Sequence, residues 1–480
     1  MQQNRVGEQN LYSLFGLFSL AFILLVPSLG AKSFEDFKRV QNISFDNYKD
    51  KRDSEFSKYL KVQWNEYISN TPFKLYEKQK PKSLVSTFQK SIKSVGPSIS
   101  IFVKKTDDNL SRYIKLHNDK KDIRFDFFGQ DVGFNVDIGY KSAKYYPQNQ
   151  LGVSNFFSVV ASSEYGDLLD EIDSVIDNLK LNDWGIYQLI TRISQKIYIS
   201  EDDRKLFVWF MMTKMGYDIK IGLYQKHIIL MFYSKDKLYL KANFIFNKKR
   251  FYVISEYANE NIEKVYTYNH IYPGAIKPLK FKLNELPHFQ RDIHTKTLTF
   301  KEFGKIYDIS YRYDKNLIDF MATYPQVDYK IYFNTPMSSI TLNDIVASMK
   351  KYIDNKKASS AINFVLHFVQ KSFKYERDQE QFGKEKVMFA DEVLFYKKSD
   401  CEDRVILFSH LIKDIFHFSV AGLKYKDHMS SGLYIPMNGD SVRVAGRRFV
   451  VADPTYINAN VGQSMSKYKN KAPISYVLVK

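Results

Sequence analysis

Apolar residues recur at helical spacing over residues 46–68, DNYKDKRDSEFSKYLKVQWNEYI, where Phe56, Tyr59, Leu60, Trp64 and Tyr67 fall on one face and the charges on the other. That pattern predicts helix across residues 33–82. SISIFVK, residues 98–104, alternates as a strand does, and aromatic and polar residues alternate over 123–146 and 298–332, predicting antiparallel strands. Residues 168–179 and 342–353 read as helices, each followed by a second. After Arg404 the run VILFSHLIKDIF has apolar steps of three and four, which predicts a buried helix opening at Cys401. GLKYKDHMSSGLYIP and RRFVVADPTY then read as strands, the latter closing at a Pro-initiated turn after Asp453. The fold class this implies is α+β.

The chain also matches itself. EDDRKLF, GLYQKH and NKKRFYVIS parallel CEDRVIL, GLKYKDH and AGRRFVVAD in the same order. Arg204 and Arg404, Gly222 and Gly422, and Leu223 and Leu423 are 200 positions apart, and His227 and His428 are 201 apart. Upstream, Phe128-Gly129 with Phe303-Gly304 and Gln195-Lys196 with Gln370-Lys371 are 175 apart, and Ile176-Asp177-Asn178 with Ile353-Asp354-Asn355 are 177 apart. A tandem unit is expected, with about 25 additional residues between Lys371 and Cys401 in the second copy. Expected boundaries are a signal at 1–30, an N-terminal helical region at 31–120, a first unit at 121–260, a linker at 261–295 and a second unit at 296–480. Its core spans about 356–480.

Composition narrows the classes of function. A chain of 480 residues, 44% hydrophobic, has material for more than one core. Arg5, an apolar run over residues 11–26, Pro27 and the small residues Ser28-Leu29-Gly30-Ala31 resemble an export signal, with cleavage expected after Gly30 or Ala31. Export to the periplasm or the medium follows, with an uncleaved anchor in the inner membrane as the alternative and no stable insertion once cleaved. An exported chain with a single cysteine, Cys401, makes no internal disulfide, so that thiol is either a packed core residue or kept for its reactivity.

The net charge of +18 is spread along the chain and accompanies no DNA-reading motif, so no nucleic-acid partner is expected. No Walker motif, HExxH or CxxC pair is present, and neither a cofactor nor a metal is expected.

Cys401 in SDCEDR opens its helix, where unpaired N–H groups and the positive end of the helix dipole favour thiolate and offer donors to an oxyanion. A thiolate enzyme further requires a base and a group that fixes the base's tautomer, roles that His428 and Asp453 can fill from their strands. SDCEDR, DHMS and VVADPTY together resemble the three blocks of the transglutaminase-like (papain-like) superfamily, and most closely its exported Bacteroidetes-type members, over about residues 356–480. The resemblance implies Cys401 as nucleophile, His428 as general base and acid, and Asp453 as the residue orienting His428. It also matches Glu392 to a recurrent acidic position with a structural role. No aromatic residue follows His428 closely, where the family commonly has one. His410 and His417 read as packing or helix-face residues.

In the first copy Glu201 stands at the Cys401 position and Ser255 at the Asp453 position, so only His227 of the three is kept and that copy is expected to be inert. The expected activity is attack on peptide or side-chain amides through an acyl-enzyme, with water as the preferred acceptor over an amine, acting on a protein or peptide substrate. The alternative is a binding or scaffold protein of the cell envelope.

Overall fold

The computed structural model describes residues 51–62, 64–75, 94–103, 120–254 and 262–479. The chain divides into a unit at 1–55, whose described residues 51–55 are helical, and a main unit at 56–480. Residues 1–30, expected to be an export signal, lie outside the described residues. Among the described residues, no helix is long and apolar enough to cross a membrane.

The first strand of the main unit is β1 (Asn65–Ile68), and a hairpin of β2 (Ile123–Phe127) and β3 (Gln130–Phe134) follows. Next come helices α1 (Gln150–Ala161), α2 (Tyr165–Leu179), α3 (Asp183–Ile197) and α4 (Glu201–Lys214), then strands β4 (Ile219–Tyr224), β5 (His227–Tyr233), β6 (Asn243–Phe246), β7 (Lys249–Val253) and β8 (Lys264–Thr267). A second hairpin, β9 (Ile293–Glu302) and β10 (Lys305–Asp314), precedes α5 (Lys315–Ala322), α6 (Tyr329–Asn334), α7 (Ser339–Ile353) and α8 (Ala358–Ser372). Residues 373–400 carry β11 (Lys374–Tyr375), α9 (Asp378–Phe382), α10 (Ala390–Phe395) and β12 (Lys398–Ser399). The chain closes with α11 (Cys401–Phe416), β13 (Val420–Lys424), β14 (Met429–Leu433), β15 (Ser441–Val444), β16 (Arg447–Ala452) and β17 (Ser475–Leu478).

The first sheet has the order β1-β8-β4-β5-β7-β6 and the second β15-β16-β14-β13-β17, antiparallel throughout. Read from β8 and from β17, the same five-strand order appears twice. One continuous core joins the helices to the inner faces of both sheets, and a small apolar cluster covers the outer face of each. In α11, Val405, Ile406, Leu407, Phe408, Leu411 and Ile412 are all fully buried, so the helix is fixed on every side; each such side chain contributes about 1.5–3 kcal/mol of burial.

Turn chemistry explains one of the sequence matches. Phe128-Gly129 (φ 51° and 80°) and Phe303-Gly304 (φ 46° and 77°) are the two-residue turns of the two hairpins, with both φ positive as a primed turn requires. The Ile-Asp-Asn match at 177, in contrast, is not a structural equivalence. Ile176 lies inside α2 and Ile353 ends α7, whereas the left-handed residues after these helices, Lys180 (φ 52°) and Asn355 (φ 59°), are 175 apart.

The glycine match also fails. Tyr224 pairs with His227 across one two-residue turn, and Tyr425 N–H donates to the His428 carbonyl at 2.8 Å across the corresponding turn, so the hairpins correspond at a spacing of 201. A Cβ on Gly222 would lie 2.1 Å from Val265 on the outer face, while one on Gly422 would lie 2.4 Å from the Phe333 ring on the helix side. A one-residue offset in a strand exchanges faces, and Gly222 and Gly422 are on opposite ones.

Other expectations are corrected by tertiary pairing. The described helical stretch ends at Leu60, and residues 65–68 form β1 against β8 because a sheet edge satisfies their backbone. Residues 98–103 form no strand. They are extended, with a single bridge from Ser98 to Lys357 and with Ile99 and Ile101 hydrogen-bonded to the α7–α8 connection. The strand pattern read over 298–332 stops at Asp314 and continues as α5 and α6. Residues 264–267, placed in the linker, are β8 and integral to the first sheet.

Candidate active site

Asp400 has an extended backbone, its N–H donates to Asp403 Oδ2 at 3.3 Å, and Cys401 is the first helical residue of α11. Asp403 Oδ1 accepts from Met388 N–H at 2.9 Å, tying the helix start to the segment that precedes it. The guanidinium of Arg404, 1% exposed, donates to the Phe373 carbonyl at 2.7 Å, the Gln370 carbonyl at 3.2 Å and Ser399 Oγ at 3.1 Å. Burial pushes its pKa down to about 10, so it stays charged at neutral pH. The first half repeats this anchor: Arg204 donates to the Tyr198 carbonyl at 2.8 Å.

His428 immediately precedes β14 and Asp453 immediately follows β16, and the pairing of these two strands brings the side chains together. His428 Nε2 lies 2.8 Å from Asp453 Oδ2, and both residues are buried. Burial opposes ionisation of Asp453, but the His428 charge and hydrogen bond, together with the Thr455 hydroxyl and N–H, outweigh it and hold the carboxyl below its usual range. An ionised Asp453 accepts a hydrogen bond from Nε2–H, and in that tautomer the ring's lone pair lies on Nδ1.

Cys401 is 3% exposed, and its Sγ donates to Glu402 Oε2 at 3.1 Å. Tyr468 packs against His428. Its ring stacks on His428 with centroids 4.9 Å apart and planes at 21°, and its hydroxyl donates to Asp427 at 2.8 Å. Burial chiefly, then that hydrogen bond and the nearby charges of Asp427, Cys401 and Asp453, raise the Tyr468 pKa. An aromatic partner for His428 thus exists, 40 residues downstream.

Tyr468, Glu402 and Gln370 were not picked out as site residues in the sequence. Gln370, on α8, is 1% exposed, and its Nε2 donates to the carbonyls of Asp453 at 2.9 Å and Ala459 at 3.0 Å, while Oε1 accepts from Asn458 N–H at 3.0 Å. Of the remaining candidates, Glu392 is buried, paired with Lys386, and accepts from Phe389 N–H at 3.1 Å. His410 is buried with Nε2 3.3 Å from the Tyr332 carbonyl, and His417 is the exposed left-handed cap of α11.

Carboxylate oxygens of Asp378, Asp400 and Asp403 lie within 4.8 Å of one another, as do those of Asp378, Glu385 and Glu402. Such spacing suits a hard cation, and it is equally suited to acids that share protons to avoid like-charge repulsion. In the first half, His227 Nδ1 is 3.1 Å from Asp202 Oδ2 and its side chain is half exposed. Glu201 pairs with Lys205 at 2.5 Å, and Ser255 lies outside the described residues. A surface depression of about 470 Å³ is lined by residues of β1, β4 and β8, among them Glu66, Tyr224 and Tyr266, with none from α11.

No protein-family model, curated protein or solved structure matches this chain.

Proposed function

We propose that the chain is an exported cysteine enzyme of transglutaminase-like type that acts on peptide or side-chain amides, with the second of two duplicated units carrying the chemistry. The observation behind this reading is the buried His428–Asp453 pair, set beside a helix that begins with the chain's single cysteine. In this reading His428 Nδ1 takes the Cys401 proton and the thiolate adds to the amide carbonyl, forming the S–C bond. As the C–N bond breaks, the imidazolium returns its proton to the departing amine. Water, deprotonated by the same ring, then releases the acid and the thiol. An amine in place of water gives transamidation.

The repeated strand order, the matching hairpin turns and the shared arginine anchor support duplication. The second copy differs by the 28 residues between α8 and α11, where the first has three between α3 and α4.

A second reading, a catalytically silent scaffold of the cell envelope, is favoured by the burial of Cys401 and its hydrogen bond to Glu402. Alkylation separates the two. With one cysteine, the chain labels at a single site. In an enzyme, labelling at neutral pH is fast and falls roughly 100-fold in His428→Ala; slow labelling indifferent to that substitution sinks the enzyme and leaves the scaffold.

A further inference from the structure

Cys401 and Asp453 are held by different parts of the fold, one on a helix and the other on the turn leaving a strand. Gln370 bonds both to the turn that carries Asp453 and to Arg404 in the helix that Cys401 opens. The Gln370 side-chain amide grips the Asp453 turn at three points: the carbonyls of Asp453 and Ala459 take its two N–H donors, and Asn458 N–H fills its oxygen. Its main-chain carbonyl takes Arg404 Nη1, three residues into the helix that Cys401 opens. The residue is 1% exposed, so no water competes for these bonds. One turn earlier on α8, His367 also lies 3.2 Å from the Ala459 carbonyl and is paired with Glu302, which holds the same turn from a second point.

The sequence match offers an internal comparison. Gln195 occupies the corresponding place on α3, yet it is exposed. The same side chain is buried and fully bonded only in the half that carries the Cys401, His428 and Asp453 group.

From this geometry we infer that Gln370 is a positioning residue for the nucleophile, setting the Asp453 carboxylate, and through it the His428 ring, against the Cys401 helix. The inference rests on the proposed cysteine chemistry. It assigns to Gln370 no contact with substrate. Its effect passes through Asp453, whose backbone it fixes and whose carboxylate orients the imidazole.

The test measures alkylation of Cys401 by iodoacetamide against pH in the full chain, for the unaltered protein and for Gln370→Met, Asp453→Asn and the pair combined. Gln370→Met keeps the volume and removes every side-chain hydrogen bond. Its labelling at neutral pH is expected to fall about tenfold or more, with the rate rising only at higher pH as an unassisted thiol ionises. If Gln370 acts through Asp453, the double variant is no slower than Asp453→Asn alone. Effects that multiply in the double variant, or Gln370→Met labelling within about twofold of the unaltered protein, overturn the inference.

Gln370→Asn keeps the amide and withdraws it by one methylene. It serves where the methionine variant does not fold, and the same two criteria apply to it. Loss of the enzyme reading itself has a different signature: labelling of the unaltered chain is then already slow and indifferent to His428→Ala. Rapid labelling that depends on His428 and is unchanged in both Gln370 variants refutes the positioning role alone.

Discussion

Asp391 shows how strongly a single buried acid can couple this fold to pH. It is 2% exposed, its carboxylate accepts from Ser338 N–H at 3.2 Å, and burial pushes its pKa up to about 7. A carboxyl with a raised folded pKa binds its proton more tightly in the folded chain. Its stabilising contribution is therefore complete below the ordinary value of 3.8 and is lost as the pH climbs to about 7. Asp391→Asn removes the titration. In urea unfolding at several pH values, the variant should gain on the unaltered protein by up to about 1.4 kcal/mol per pH unit between 4 and 7; parallel curves would show that the carboxyl is not desolvated. Asp453 has the opposite sign. Its pKa is depressed, so its contribution is present at neutral pH and disappears below the usual carboxylate range. At this scale the His428–Asp453 pair and the helix starts at Cys401 and Glu201 could be read from short blocks, since helix starts and strand ends leave local marks. Tyr468 and Gln370 could not: they reach His428 and the Asp453 turn from 40 and 83 residues away along the chain.

Among the elements, the two central hairpins carry the clearest lesson about pattern. Equal spacing of Gly222 and Gly422 suggested one register, yet the side each glycine faces reveals another. Letters repeat readily in short strands, but the face that packs on helices is set by tertiary contact. On Gly422 this has a measurable consequence. A methyl group there would sit 2.4 Å from the Phe333 ring tip, and a buried ring on α6 has little room to retreat. Gly422→Ala should cost about 1–3 kcal/mol in chemical denaturation, with Phe333→Leu in the same chain recovering part of it; a neutral single variant would mean that the sheet and helix are not in this contact. The long helices, α2, α3, α7, α8 and α11, were legible because their apolar stripes are wide and regular. β1 and β8 were not, since four-residue strands carry too few alternations to stand out from helix or linker.

At the level of the molecule, the halves share a strand order and differ in how their histidines are paired. In the first, His227 meets Asp202, next to the helix start, while in the second His428 meets Asp453 across paired strands. Placing a thiol in the first half should therefore be insufficient. In a Cys401→Ser background, Glu201→Cys is expected to react with iodoacetamide at about the rate of a free thiol and to ignore His227→Ala; a fast, His227-dependent reaction would show that the shared strand order alone creates reactivity. The two halves also end differently. β1 reaches the first sheet from ahead of its hairpin and lies along β8, whereas among the described residues β17 borders the second sheet with Tyr476 and Leu478 partly in water. Trimming the chain to begin after residue 70 would strip that cover and leave β8 a bare rim of backbone donors and acceptors, open to the same rim on another molecule. Chains trimmed in this way should therefore be checked for self-association by light scattering before their reactivity is compared, because the N-terminal strand acts as a hem that keeps the cloth from fraying.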